Sequence, residues 1–152
     1  MHDEKYHYLE CGLDDVYLLN GFKRHVSARG SSIAIRDVDK LHRAIGEYLC
    51  LKKKELNGKE IRFLRRELLM SQSVLARLLD VGEQTVHRWE TGKTTMPRAA
   101  DALLRLMYGK DTARGVRDQL NRIADLEDEI DHNQQMIFEL MTDKKGQWQL
   151  AA

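Results

Sequence analysis

Residues 71–90 read SQSVLARLLDVGEQTVHRWE. Two short amphipathic segments stand on either side of Asp80-Val81-Gly82. Ser71 is a good N-cap for the first, which places Val74, Leu75, Leu78 and Leu79 on a buried face. The second, over 83–90, buries Val86 and Trp89 and turns Glu83, Gln84, Thr85, His87 and Arg88 outward. Thr91-Gly92 ends it, because glycine is the favoured residue just past a helix. Two consecutive helices joined by a turn of three to four residues with glycine make a helix-turn-helix. This stretch fits that arrangement.

Further helices extend the block in both directions. Upstream, Ile61, Leu64 and Leu68 mark one; downstream, Pro97 suits the first turn of another that carries Ala100, Leu103, Leu104 and Met107 and stops at Gly109. Asn57-Gly58 separates the block from a smaller N-terminal unit. There DVYLLNGF ends in the turn signal Asn20-Gly21. HVSA and SIAIRD flank Arg29-Gly30-Ser31, with Ile33 and Ile35 alternating against Ala34 and Arg36. Asp37 or Asp39 caps an expected helix from about Val38 to Leu51, on which Val38, Leu41, Ile45 and Leu49 recur. Beyond 109, Val116, Leu120, Ile123, Leu126 and Ile130 predict a helix over 113–133. Met136, Phe138 and Leu140, then Trp148 and Leu150, alternate around TDKKGQ and read as a β-hairpin, the alternative being a helix that runs on to Met141. The expected fold is mainly α with small β parts, of the α+β class. It comprises a strand and helix unit over 1–57, a helical DNA-binding-type domain over 58–110, and a helix with a hairpin over 111–152 as the candidate dimerisation element.

The charge balance hides a division. The 152 residues hold 25 Lys+Arg and 24 Asp+Glu, a net +1 that taken whole argues against a polyanionic partner. Split along the chain, however, 1–50 balances to −1, 51–123 to +7 and 124–152 to −5. A hydrophobic fraction of 42% with 32% charged residues fits a soluble globular protein. No apolar run approaches the roughly 18–20 residues of a membrane span. The polar start MHDEKYHY lacks a signal-peptide core, and two cysteines make no disulfide framework, so the cytoplasm is the expected location. No Ser-His-Asp order, Cys-His pair, HExxH or phosphate-cradling glycine loop is present, so neither enzymatic activity nor a cofactor is expected. Cys11 and Cys50 belong to no CxxC, and with His7 or His42 they lack zinc-ligand spacing, so no metal is expected.

The segment KEIRFLRRELLMSQSVLARLLDVGEQTVHRWETGKTTMP, within 59–109, resembles the lambda-repressor-like, or XRE-type, helix-turn-helix family. Ser71-Gln72, Ala76, the turn glycine, Trp89-Glu90 and Gly92-Lys93 carry the likeness. It implies a five-helix-type domain that binds double-stranded DNA through helix 83–90. Side-chain chemistry agrees: Gln pairs with adenine, Arg with guanine, and Thr offers a methyl and a hydroxyl. A recognition helix reads with its N-terminal residues, so Gln84 and Thr85 rank first as base contacts and Arg88 next. Glu83 and His87 complete the candidate base contacts, although Glu83 would be repelled by phosphate unless it accepts from a cytosine amino group, and His87 lies toward the flank. The resemblance sets Gln72, Lys93 and Thr94 against phosphates, with Arg66, Lys59 and Arg98 as weaker candidates. It makes Arg65 and Glu90 a structural ion pair, and leaves Trp89, Val86, Leu64 and Leu75 in the core.

The flanks add a second likeness. CGLDDVYLLNGF, LHRAIGEYL and LNGKEIRFLRREL together resemble the YgiT/MqsA-type antitoxin-like regulators, although the paired CxxC zinc module of many of those is missing here. Two functional expectations follow. One is a repressor binding a palindromic operator as a homodimer. The other is an antitoxin that neutralises a toxin protein and autoregulates its operon. The stripe 116–130, the C-terminal hairpin and the N-terminal strands are the candidate dimer surfaces. The acidic run 125–131 faces away from DNA or meets a basic partner.

Overall fold

The computed structural model describes residues 4–109, 135–142 and 146–151; the helix expected over 113–133 lies outside them. Among the described residues the fold is α+β. The elements run β1 (Tyr6–His7), β2 (Val16–Leu18), β3 (Phe22–Ser27), β4 (Gly30–Ile35), α1 (Val38–Lys52), α2 (Gly58–Glu67), α3 (Gln72–Leu78), α4 (Glu83–Glu90), α5 (Arg98–Gly109), β5 (Met136–Met141) and β6 (Gln147–Leu150). They form two compact units, one from residues up to 45 together with those from 135 onward, the other over 46–109.

The first unit joins both ends of the chain. The alternation of Met136, Phe138 and Leu140 puts these three side chains in the core, and β5–β6 is an antiparallel hairpin with Leu140 opposite Trp148. Strand β5 also pairs in parallel with β2, Val16 opposite Met136 and Leu18 opposite Phe138, giving the order β1-β2-β5-β6. β5 and β6 therefore share one sheet with β1 and β2, and both edges of β5 are used within the chain. Trp148 Nε1 donates to the Arg36 carbonyl at 3.1 Å, while Leu150 stays exposed. Leu41 and Ile45 of α1 are buried, but Val38, counted on the same stripe, is 39% exposed. The Asn20-Gly21 turn links β2 to β3, strands of different sheets; among the described residues β3 pairs only with β4, across Ala28-Arg29.

The second unit is helical and begins within α1. The last turns of α1 belong to it, because Arg105 of α5 is fully buried and donates from Nη1 to the carbonyls of Leu49, Cys50 and Lys53 and from Nη2 to that of Lys54. A cation there satisfies carbonyls that a helix end leaves without partners and opposes the negative end of its dipole. Asp101, one turn earlier, accepts from Arg105 Nε and from the Leu56 amide. Lys53 is buried as well, with Nζ 3.7 Å from Glu60 Oε2. Asn57 and Glu60 form a capping box at the start of α2, each side chain accepting the other's backbone N–H at 2.8 Å. Gly46 sits inside α1 where any Cβ would fall 2.2 Å from the Tyr108 ring, so a helix-weakening residue is exchanged for close packing of α5.

Three successive helices end in the same way. The amides of Met70, Val81 and Lys93 reach back to the carbonyls of Arg65, Ala76 and Arg88, and those of Leu69, Asp80 and Gly92 to Arg66, Arg77 and Trp89. These are Schellman ends, each with one left-handed residue: Leu69 at φ 57, Asp80 at φ 56 and Gly92 at φ 78. The left-handed residue of the α3–α4 turn is thus Asp80; Gly82 has φ −74 and serves as the N-cap of α4. On α3, Leu75 and Ala76 face the core. Leu78, expected on that face, is 58% exposed, because in seven residues only the arc around 75, 76 and 79 can turn inward.

Two substitutions test this frame. Arg105→Met is expected to lower the urea-unfolding free energy, read by helical circular dichroism, by about 3–5 kcal/mol, since it strands a buried carboxylate and several carbonyls. Leu69→Gly should raise it by about 1 kcal/mol: Leu69 is 93% exposed and pays for a left-handed backbone that glycine adopts freely.

Candidate nucleic-acid interface

The outward face of α4 is defined by what holds its inward face. At about 100° per residue, the buried positions Val86, Trp89 and Glu90 occupy one arc of the helix. Gln84 and Arg88 fall opposite its middle and are exposed, with exposed His87 beside them. Glu83, exposed, and Thr85, half-buried, lie toward the two edges of that outward arc. The five residues expected at base edges therefore do not stand equally. Gln84 and Arg88, one turn apart, are best presented, and His87 is closer to the centre than Thr85.

Glu90 anchors the helix from within. Its carboxylate, with no side-chain exposure, accepts from Arg65 Nε at 2.6 Å and Nη2 at 3.0 Å, from Gln72 Nε2 at 3.0 Å and from Arg62 Nε at 3.3 Å. Arg65 also donates from Nη1 to the Met70 carbonyl at 2.8 Å. One carboxylate thus ties α4 to α2, to the start of α3 and, through Arg65, to the turn between them. The Arg65 fork is bidentate and the stronger part of the network. Arg62, 44% exposed on its side chain, adds a partly screened contact. Burial works to raise the Glu90 pKa, but the hydrogen bonds from Arg65, Gln72 and Arg62 outweigh it and hold the group below the usual carboxylate range.

Close backbone approach completes the seat. A Cβ on Gly58 would lie 2.4 Å from the Glu90 carbonyl and 2.6 Å from that of Trp89. Glycine at the first position of α2 lets the end of α4 rest on it. The N-terminus of α4 has no side-chain cap at Gly82.

The residues expected at phosphates divide. Gln72 is half-buried and commits one N–H to Glu90; an amide nitrogen carries two. Lys93 and Thr94 are exposed in the loop after α4, where their backbone amides both return to the Arg88 carbonyl, leaving their side chains to face outward. Arg66, Lys59 and Arg98 are also exposed.

Arg62 and Gly58 escaped sequence reasoning. Arg62 has a readable signal, one turn before Arg65 on the same helix. Gly58 reads only as a breaker until its neighbour is known.

The remaining titratable groups have other employment. Cys11 donates to the Tyr8 carbonyl, and burial pushes its thiol up to about 11; burial pushes Cys50 up to about 12. Such thiols are poor sources of thiolate. His7 Nε2 lies against the Asp14 carbonyl and His42 Nε2 against the Tyr8 hydroxyl. Among the described residues no three His, Cys, Asp or Glu side chains group as a metal site, and no helix is long and apolar enough to cross a membrane.

Two short helices joined through a Schellman turn, braced by helices on both sides and exposing a polar arc on the second, define the class: a helix-turn-helix domain. Residues 58–120 match the family model described as a helix-turn-helix domain, a range that takes in α2 to α5. No curated protein and no solved structure matches the chain.

The Glu90 network makes a pH prediction. A carboxylate whose native pKa is lowered contributes stability fully above its unfolded pKa, and loses it as pH falls through the native value. Glu90→Gln is expected to cost about 3 kcal/mol at pH 7. Its unfolding free energy should also fall less steeply than wild type on acidification, measured as denaturant midpoints between neutral pH and pH 3. An acid limb as steep as wild type would remove Glu90 from that role.

Proposed function

We propose that this chain is a sequence-specific, double-stranded-DNA-binding transcriptional repressor that acts in the cytoplasm as a homodimer on a palindromic operator. The observation that carries this reading is the outward arc of α4, with Gln84, Arg88 and His87 exposed on a helix whose opposite face is locked by Glu90. Gln and Arg offer bidentate pairs to adenine and guanine in the major groove. Lys93 and Thr94 follow at the end of the same helix and supply phosphate contacts, which fix register rather than sequence. Gln72 adds its second N–H to that set.

The dimer follows from reach. Eight residues make a helix about 12 Å long, which covers only a few base pairs. Two such helices spaced about 34 Å apart meet successive major grooves and read a site with two-fold symmetry. The stripe 116–130 is the first candidate for the dimer contact, since β5 is already paired on both edges within the chain. The antitoxin reading rests on the sequence likeness and the acidic run 125–131; it adds a toxin protein as partner and leaves the DNA-binding role in place.

The test is a selected-duplex binding assay at moderate salt. Gln84→Ala/Arg88→Ala should lose about 30-fold or more of the preference for the selected site, from two contacts at about 1–3 kcal/mol each, while retaining non-specific binding. Lys93→Ala should weaken selected and random duplexes alike. A double variant with wild-type preference would remove α4 from the reading role.

A further inference from the structure

The β3–β4 hairpin is a two-stranded ribbon that the core does not explain. Its twelve residues are exposed or half-exposed, and neither strand pairs with the four-stranded sheet. An isolated two-stranded ribbon buries little and is marginal in water, so its composition is informative. Residues 16–36 contain Lys23, Arg24, Arg29 and Arg36 and no Asp or Glu, whereas Asp15 and Asp37 stand immediately outside. Four of the seven Lys and Arg that precede residue 50 fall in this stretch.

The register separates the ribbon's two faces. Phe22, Arg24 and Val26 share one face with Ile35, Ile33 and Ser31. Near the base that face is anchored, with the Arg24 guanidinium 5.4 Å from the Tyr6 ring centroid and Phe22 packed on the same ring. The other face carries Lys23, His25 and Ser27 opposite Ala34, Ser32 and Gly30. It is polar, basic and low in profile. The tip, Ala28-Arg29, adds a further cation between small residues.

We infer that this ribbon is a second DNA-contacting element, which lays Lys23, Arg29 and the Ser32 hydroxyl along phosphates additional to those met by the helix-turn-helix. The inference rests on the DNA-binding function proposed above. Three features favour duplex DNA over a protein partner. The ribbon is of one charge sign, which suits a polyanion. It lacks the exposed Trp or Tyr anchors that dominate protein interfaces. A two-stranded ribbon is also a shape the major groove admits. Lysine, arginine and serine are side chains that contact phosphate without reading sequence.

The experiment measures affinity of the full chain for a selected duplex and for random duplexes across a salt series, with hydroxyl-radical footprints. Lys23→Ala/Arg29→Ala changes exposed side chains only. It is expected to reduce the slope of log affinity against log salt by about 2, at about 0.9 per phosphate contact. The footprint should shorten, and the ratio of selected to random binding should stay at the wild-type value. Ser32→Lys, a gain of charge on the same face, should steepen the slope by about 1, which guards against reading a folding defect as lost contact. An unchanged slope and footprint in both variants would overturn the inference while leaving the α4 reading intact, provided Gln84→Ala/Arg88→Ala loses its preference in the same assay. If the wild-type chain binds no duplex, both readings fall. If the ribbon variants bind duplexes normally but lose an acidic protein that accompanies the wild type, the ribbon is a protein-docking surface and the inference is wrong.

Discussion

One buried carboxylate fixes the helix that faces outward. Glu90 gathers N–H groups from Arg65, Gln72 and Arg62, and so ties α4 to two other helices at one atom cluster. Such a network is an inefficient way to gain stability, because desolvating the charges offsets much of their attraction and an apolar pair of similar volume often does as well. It supplies orientation instead. Leucine side chains tolerate rotation and sliding of one helix over another, whereas a bidentate fork accepts a narrow range of angles. The rotation of α4 is thereby fixed, and the constraint lies on the side of the helix opposite exposed Gln84 and Arg88.

The turns apply the same logic to the backbone. Schellman ends close α2, α3 and α4, and each demands a left-handed residue at a defined place. Only the last position is glycine. Asp80 is a tolerable substitute, since aspartate can bond locally in that conformation. Leu69 is not, and its exposed side chain gains nothing from burial in return. The path from α2 to α3 is thus imposed by the surrounding contacts, among them the Arg65 bond to the Met70 carbonyl, against the local preference of the residue.

That contrast explains what could be read from sequence. The helices over 58–109 were legible because apolar spacing, Ser71 as a cap and Gly92 as a stop all agree. The outward residues of α4 followed from the same periodicity. The turn at Asp80-Val81-Gly82 was legible from its glycine, but which of the three residues is left-handed was not, since Asp80 takes that conformation and Gly82 caps α4. The hairpin at the C-terminus was legible from alternation, yet its parallel partner β2 was not, since a period of two identifies a strand without naming its neighbour. The buried charges other than Arg65 and Glu90 were illegible for a simpler reason. Arg105, Lys53 and Glu60 are of residue types ordinarily found at the surface, and only the spatial arrangement shows that each has a partner that makes burial possible.

Those buried charges sharpen the meaning of a basic segment. Over the described part of that segment, 51–109, twelve Lys and Arg stand against seven Asp and Glu. Six of these groups are buried, Lys53, Arg65 and Arg105 with Glu60, Glu90 and Asp101. They are three of each sign, so the net charge is untouched by removing them. The surface is then nine basic groups to four acidic, a stronger bias than the sequence count conveys. Phosphate contacts respond to charges that can reach the backbone, not to those neutralised in the core. The exposed groups of this helical unit are therefore predominantly basic even though the whole chain carries a net charge of only +1.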